Sequence, residues 1–91
     1  MTPAMSVSVD TKLSIQFFGR VGDVMGKART IDLPDGGWTL GELRRRLAAA
    51  AGSDILLQPG VRGAIDKQVA SDEAMVRPGA EVAFFSLFSG G

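Results

Sequence analysis

The run Arg77-Pro78-Gly79-Ala80-Glu81-Val82-Ala83-Phe84-Phe85-Ser86-Leu87-Phe88-Ser89-Gly90-Gly91 decides how this chain folds. Its first four residues fit a type II turn, in which proline presets φ at the first central position and glycine accepts the positive φ needed at the second. A strand follows. Side chains alternate along extended backbone, so Val82, Phe84, Ser86 and Phe88 share one face and Ala83, Phe85 and Leu87 share the other. Both faces are apolar, which places this strand in the middle of a sheet. In a domain this small, one of those faces has to rely on a partner. The run then finishes in Gly90-Gly91. Two residues without side chains permit close backbone approach. Such a tail can thread a narrow channel and place its terminal carboxylate in another protein's active site. A frayed Gly-Gly end is the plain alternative.

Composition works in favour of the first reading by elimination. The chain has no cysteine, histidine or tyrosine. A thiol nucleophile, a redox Cys pair and a Cys/His zinc site are therefore impossible, and the commonest general acid-base group is missing. No acidic cluster has the loop spacing of a calcium site, and no metal site is expected. The terminal carboxylate becomes the leading candidate for covalent chemistry. Ninety-one residues make one domain, and a chain of this size buries only about 60–65% of its unfolded surface. Ten Lys/Arg balance ten Asp/Glu, so charge points to neither nucleic acid nor membrane. No apolar run approaches the roughly 18 residues of a membrane span, and Met1 to Val9 has no signal-peptide pattern. A cytoplasmic protein is expected. Residues 1–11 read as a flexible lead-in, with Met5 a second possible start, 12–88 as the folded domain and 89–91 as the reactive tail.

Upstream of the deciding run, Leu13-Ser14-Ile15-Gln16-Phe17-Phe18 alternates at period two and predicts a half-buried strand. Phe18 breaks the alternation toward the outer face. Gly19, Gly22 and Gly26 punctuate a connection with a short helical turn from Val21 to Met25. They match neither GxGxxG nor a GK[ST] loop. Ala28 to Leu33 is a second strand, and Pro34-Asp35-Gly36-Gly37 a turn. Thr39-Leu40-Gly41-Glu42 is a capping box. It opens a helix over 39–51 with Leu40, Leu43, Leu47 and Ala50/Ala51 at helical spacing, stopped by Gly52. Arg44, Arg45 and Arg46 are read as its solvated face, with an acidic docking partner as the alternative. Ser53 to Gly60 is a loop or short turn. Val61 to Ile65 and Gln68 to Ala70 form a hairpin around Asp66-Lys67. Ser71-Asp72-Glu73 is a turn or cap signal before Ala74-Met75-Val76. Asp72 and Glu73 are adjacent in a turn and do not converge as a catalytic pair.

The element order is strand, strand, helix, strand, short strand, strand: an α+β sheet of four to five strands packed on one main helix. Together with Arg77–Phe85 and the terminal Gly-Gly, it resembles the ubiquitin-like β-grasp family, in particular the small sulfur-carrier subunit of molybdopterin synthase, over residues 12–91. The family usually has Pro-Pro at Ser86-Leu87, Asn at Asp66 and often Asp at Ala80. The missing prolines would otherwise stiffen the exit to the tail. The resemblance implies a carrier that binds no cofactor and is not catalytic alone. A ubiquitin-activating-like enzyme adenylates the Gly91 carboxylate with ATP, and a sulfur donor protein converts it to a thiocarboxylate. The tail then enters the large synthase subunit, within a heterotetramer, and sulfurates a pterin precursor of the molybdenum cofactor. Gly91 is the covalent site and Gly90 the threading residue. Phe18, Phe85, Leu87, Phe88 and Ser89 are expected to bind the partner, since clustered exposed apolar residues mark interfaces. Three other readings remain open: a carrier for thiamine or thionucleoside synthesis, a modifier joined to lysines through Gly91, and an interaction module with an inert tail.

Overall fold

The computed structural model describes residues 11–34 and 36–86. The lead-in at 1–10, Asp35, and the tail residues Leu87, Phe88, Ser89, Gly90 and Gly91 lie outside the described residues. The chain runs β1 (Lys12–Phe17), α1 (Arg20–Met25), β2 (Ala28–Asp32), β3 (Trp38–Thr39), α2 (Leu40–Ala51), a 3₁₀ turn (Ile55–Leu57), β4 (Val61–Ile65), β5 (Gln68–Ala70), β6 (Met75–Val76) and β7 (Glu81–Ser86). Five strands form a mixed sheet in the order β2-β1-β7-β4-β5, and β3 pairs with β6 in a separate two-stranded ladder. β7 is central, as its two apolar faces require. It lies parallel to β1, with Phe17 opposite Phe84, and antiparallel to β4, with Gly63 opposite Phe84.

One face of the sheet is the core. Leu13, Ile15, Phe17, Val61, Val82 and Phe84 pack there against Leu40, Leu43 and Leu47 of α2. The helix comes very close to the sheet at Gly63, where an added Cβ would lie 2.8 Å from Leu40 Cδ2 and 3.1 Å from Phe84 Cε1.

The start of α2 shows how a long-range partner completes a local signal. A helix leaves its first four N–H groups without intrahelical partners. Here Glu42 N donates to Thr39 Oγ1 at 3.1 Å, Leu40 N to Ala74 O at 2.8 Å and Gly41 N to Asp72 O at 3.0 Å. Thr39 caps as expected. The Glu42 carboxylate is not the other half of a capping box: it pairs instead with Arg45 at 3.0 Å and Arg46 at 2.9 Å. Two cations on its own helix outcompete one backbone N–H. Gly52 stops the helix in the left-handed region at φ 67°. At the β4–β5 hairpin tip, Asp66 (φ 51°) and Lys67 (φ 73°) both take positive φ, the geometry that matches strand twist in two-residue hairpins. The predicted type II turn is present, with Gly79 at φ 90° and Ala80 N donating to Arg77 O at 3.1 Å.

Candidate functional site

The carboxyl end of β7 is the part of the fold from which the sequence carries on to Gly91. Its inner side is held rigidly. Phe84 is fully buried, and its ring stacks on Phe17 with centroids 6.1 Å apart and planes at 15°. Phe18 N donates to Phe84 O at 3.0 Å, extending the β1–β7 pairing one step beyond β1. At the start of the strand, Glu81 N donates to Asp66 Oδ1 at 3.0 Å, and Asp66 N donates to Glu81 O at 2.7 Å. That reciprocal pair fixes the hairpin tip beside the strand.

The outer side is open. A groove of about 320 Å³ runs over Ser14, Gln16, Phe18, Lys67, Glu81, Val82, Ala83 and Phe85. Phe18 is 50% exposed and Val69, on the same sheet face by register, 65% exposed. The structure therefore brings together two of the predicted partner-binding residues, Phe18 and Phe85. The others, Leu87, Phe88 and Ser89, lie outside the described residues with Gly90 and Gly91.

The arginine triplet is not one solvated face. Arg45 and Arg46 are exposed at 63% and 55%, but the Arg44 side chain is only 12% exposed. Arg44 Nη1 donates to Leu56 O at 3.1 Å and Val61 O at 2.8 Å. Nη2 pairs with Asp72 at 3.2 Å, and the guanidinium carbon lies 5.6 Å from the Phe84 ring centroid, within cation–π range. Burying a charge is tolerated only when it is paired and hydrogen-bonded; these acceptors satisfy the two terminal nitrogens, while the buried Nε has no hydrogen-bond partner among the described residues. Sequence reading missed Arg44, although a signal was available. It stands four residues after Leu40 and three before Leu47, on the apolar stripe itself. Arg46 instead lies over Trp38, 4.5 Å from the ring centroid.

A hydrogen bond from Lys12, reinforced by its charge, holds the Asp32 carboxyl below the usual carboxylate range. The hydrogen bond from Arg45 does the same for Glu42, with the charges of Arg46 and Arg45 adding to it. Neither residue lines the groove. Among the described residues, no group of three or more acidic side chains is placed to hold a metal ion. No helix among them is long and apolar enough to cross a membrane.

This architecture, a mixed five-stranded sheet on one main helix with the carboxyl-terminal strand at its centre, defines a ubiquitin-like β-grasp protein. The chain belongs to the ThiS family, whose profile matches residues 15–91, and its fold is that of the ubiquitin-like sulfur carriers. SAMP1 from Haloferax volcanii superposes with a TM-score of 0.73 at 19% identity, over 88% of this chain and 99% of that one. A putative molybdopterin converting factor subunit 1 from Pyrococcus furiosus gives 0.72 at 17% identity, over 84% and 97%. Urm1 from Trypanosoma brucei gives 0.68 at 19% identity, over 93% and 100%. At these identities the likeness is one of fold. No curated protein matches the sequence significantly.

Proposed function

We propose that this chain is the sulfur carrier of a molybdopterin synthase. The observation that carries the reading is the family match running through Gly90-Gly91, downstream of a central strand that borders an open apolar groove. The fold neighbour named as a putative molybdopterin converting factor subunit supports the choice of pathway. The Gly91 carboxylate attacks the α-phosphorus of ATP on an activating enzyme, and pyrophosphate leaves. The terminal sulfur of a persulfide on a sulfur donor protein attacks the resulting acyl carbon and AMP leaves; a second protein thiol then attacks the inner sulfur of the acyl disulfide, forming a disulfide with it and releasing the thiocarboxylate. The large synthase subunit then receives the tail and passes the sulfur to a pterin precursor. The chain supplies the carboxylate, Gly90 the narrow approach, and Phe18, Phe85, Leu87, Phe88 and Ser89 the contact with the partner. The setting is cytoplasmic and the assembly a heterotetramer.

The test is mass spectrometry after incubation with an activating enzyme, ATP and a sulfur donor. The expected change is the exchange of one oxygen for sulfur at Gly91, and the loaded carrier then sulfurates the pterin precursor when the large subunit is added. An unchanged mass rejects the carrier reading. A thiocarboxylate that loads but never sulfurates the pterin rejects the pathway. Deleting Gly91 should abolish loading while the melting temperature stays within about a degree or two, as expected of a terminal residue.

A second reading has one observation in its favour: a fold neighbour at TM-score 0.71 and 16% identity is described as a small archaeal modifier protein. Activation is then identical, but a lysine amine of a target attacks the acyl carbon. Recovery of lysine conjugates through Gly91 under denaturing conditions would favour it.

A further inference from the structure

We infer that Arg44 is a positioning residue that fixes where the C-terminal tail leaves the fold. One side chain from α2 holds both strands of the pair at the tail exit. On β4 it binds the carbonyl of Val61 at 2.8 Å, and Val61 is the register partner of Ser86, the last described residue of β7. On β7 its guanidinium faces the ring of Phe84, two residues before Ser86. Its remaining contacts anchor it from outside the sheet, at Leu56 O in the 3₁₀ turn and at Asp72 in the loop before β6. A rigid planar fork suits several acceptors at fixed angles, which a compact ammonium does not match. Nothing else on α2 makes a polar contact with β4 or β7 among the described side-chain bonds. The exit is thus set by a charged brace and not by apolar packing alone. The groove with Phe18 and Phe85 lies on the opposite face of the sheet. Loss of the brace should therefore leave the Phe18–Phe85 groove contact intact and misdirect the tail.

The experiment has two arms on the full-length chain. In the first, amide hydrogen exchange compares wild type with Arg44→Met, which keeps the aliphatic stem. Exchange at Arg62 and Phe85, the pair next to the exit, should rise about tenfold or more, while Leu13 and Ile15 stay within about threefold, since local opening is separable from global unfolding. Arg44→Lys should fall between, and carries the test should the Met variant fail to fold. A uniform rise across the sheet, or no change at Arg62 and Phe85, overturns the proposal. The second arm rests on the carrier reading. In adenylation assays well below the melting temperature, kcat should fall about tenfold with KM for the carrier within about twofold, with partial rescue by Arg44→Lys. A rise in KM with kcat unchanged overturns the positioning role. Wild-type protein that is never adenylated rejects the carrier reading instead, and the exchange arm still decides Arg44.

Discussion

Phe84 and Phe85 are neighbours in sequence but occupy different surroundings. Phe84 lies on the inner face of β7, fully buried between Phe17, Gly63 and the Arg44 guanidinium. Phe85 lies on the outer face, half-buried beside Phe18 at the groove. Side chains on opposite faces of one strand answer to different selection. The inner residue is fitted by volume to neighbours already in the chain. The outer residue keeps apolar surface in water, which is the surface the proposed partner contact uses. On the proposed function, the strand's two-sided apolarity combines a folding signal with a binding signal.

The comparison breaks most readily at Phe84. Phe84→Ala should lose about 3–5 kcal/mol, the usual range for emptying a buried aromatic site, and denaturant unfolding would measure it. A loss below about 1 kcal/mol would mean the inner face is not the core it is taken for. Gly63→Ala sharpens the same contact from the other side. Its methyl group would crowd Leu40 Cδ2 and the Phe84 ring, and overpacking of that kind costs about 1–3 kcal/mol. Leu40 and Phe84 are both fully buried and have little room to yield, so the upper half of that range is expected.

Phe18→Ser examines the outer face. Phe18 is half exposed, so stability should change by no more than about 0.5 kcal/mol. On the proposed function, affinity for the activating enzyme or large subunit should fall by about 1–2 kcal/mol, in the range of an interface aromatic, as read by calorimetry with the purified partner. Equal affinity would remove Phe18 from the interface.

The smallest effect is electrostatic. Asp32 is held below its ordinary pKa by Lys12, 3.0 Å away at the edge of the same outer face. A lowered carboxyl pKa stabilises the fold at neutral pH, and that stability disappears as the pH falls below about 4, where the unfolded carboxyl already takes a proton. The melting temperature of Asp32→Asn should therefore sit slightly below wild type at pH 7 and converge with it in acid. Salt should shrink the neutral-pH gap, because exposed pairs are screened.

Much of the architecture was legible because local chemistry announced it. Thr39 capped α2, Gly52 ended it, Asp66-Lys67 turned the hairpin and Pro78-Gly79 turned into β7. The pairing of Trp38–Thr39 with Met75–Val76 gave no such signal. Two-residue strands have no period to read, and their partners lie far apart along the chain. The strand predicted at Leu13–Phe18 ends at Phe17, and the one predicted to Leu33 ends at Asp32. Of the candidate site, Phe18 and Phe85 line one groove, while Arg44 went unread in a triplet assigned to solvent.

The sequence by itself determined the central place of β7, the amphipathic helix and the turns. Periodicity, capping and positive-φ residues act over a few positions, and a strand apolar on both faces admits few alternatives. Only the tertiary structure decided that β7 runs parallel to β1, that carbonyls from the Asp72–Ala74 segment complete the cap of α2, and that the Arg44 side chain is mostly covered while those of Arg45 and Arg46 are exposed. Each of these depends on acceptors or register partners supplied from distant parts of the chain. Whether a charge is buried is settled by whether such acceptors meet it, and no local pattern records that.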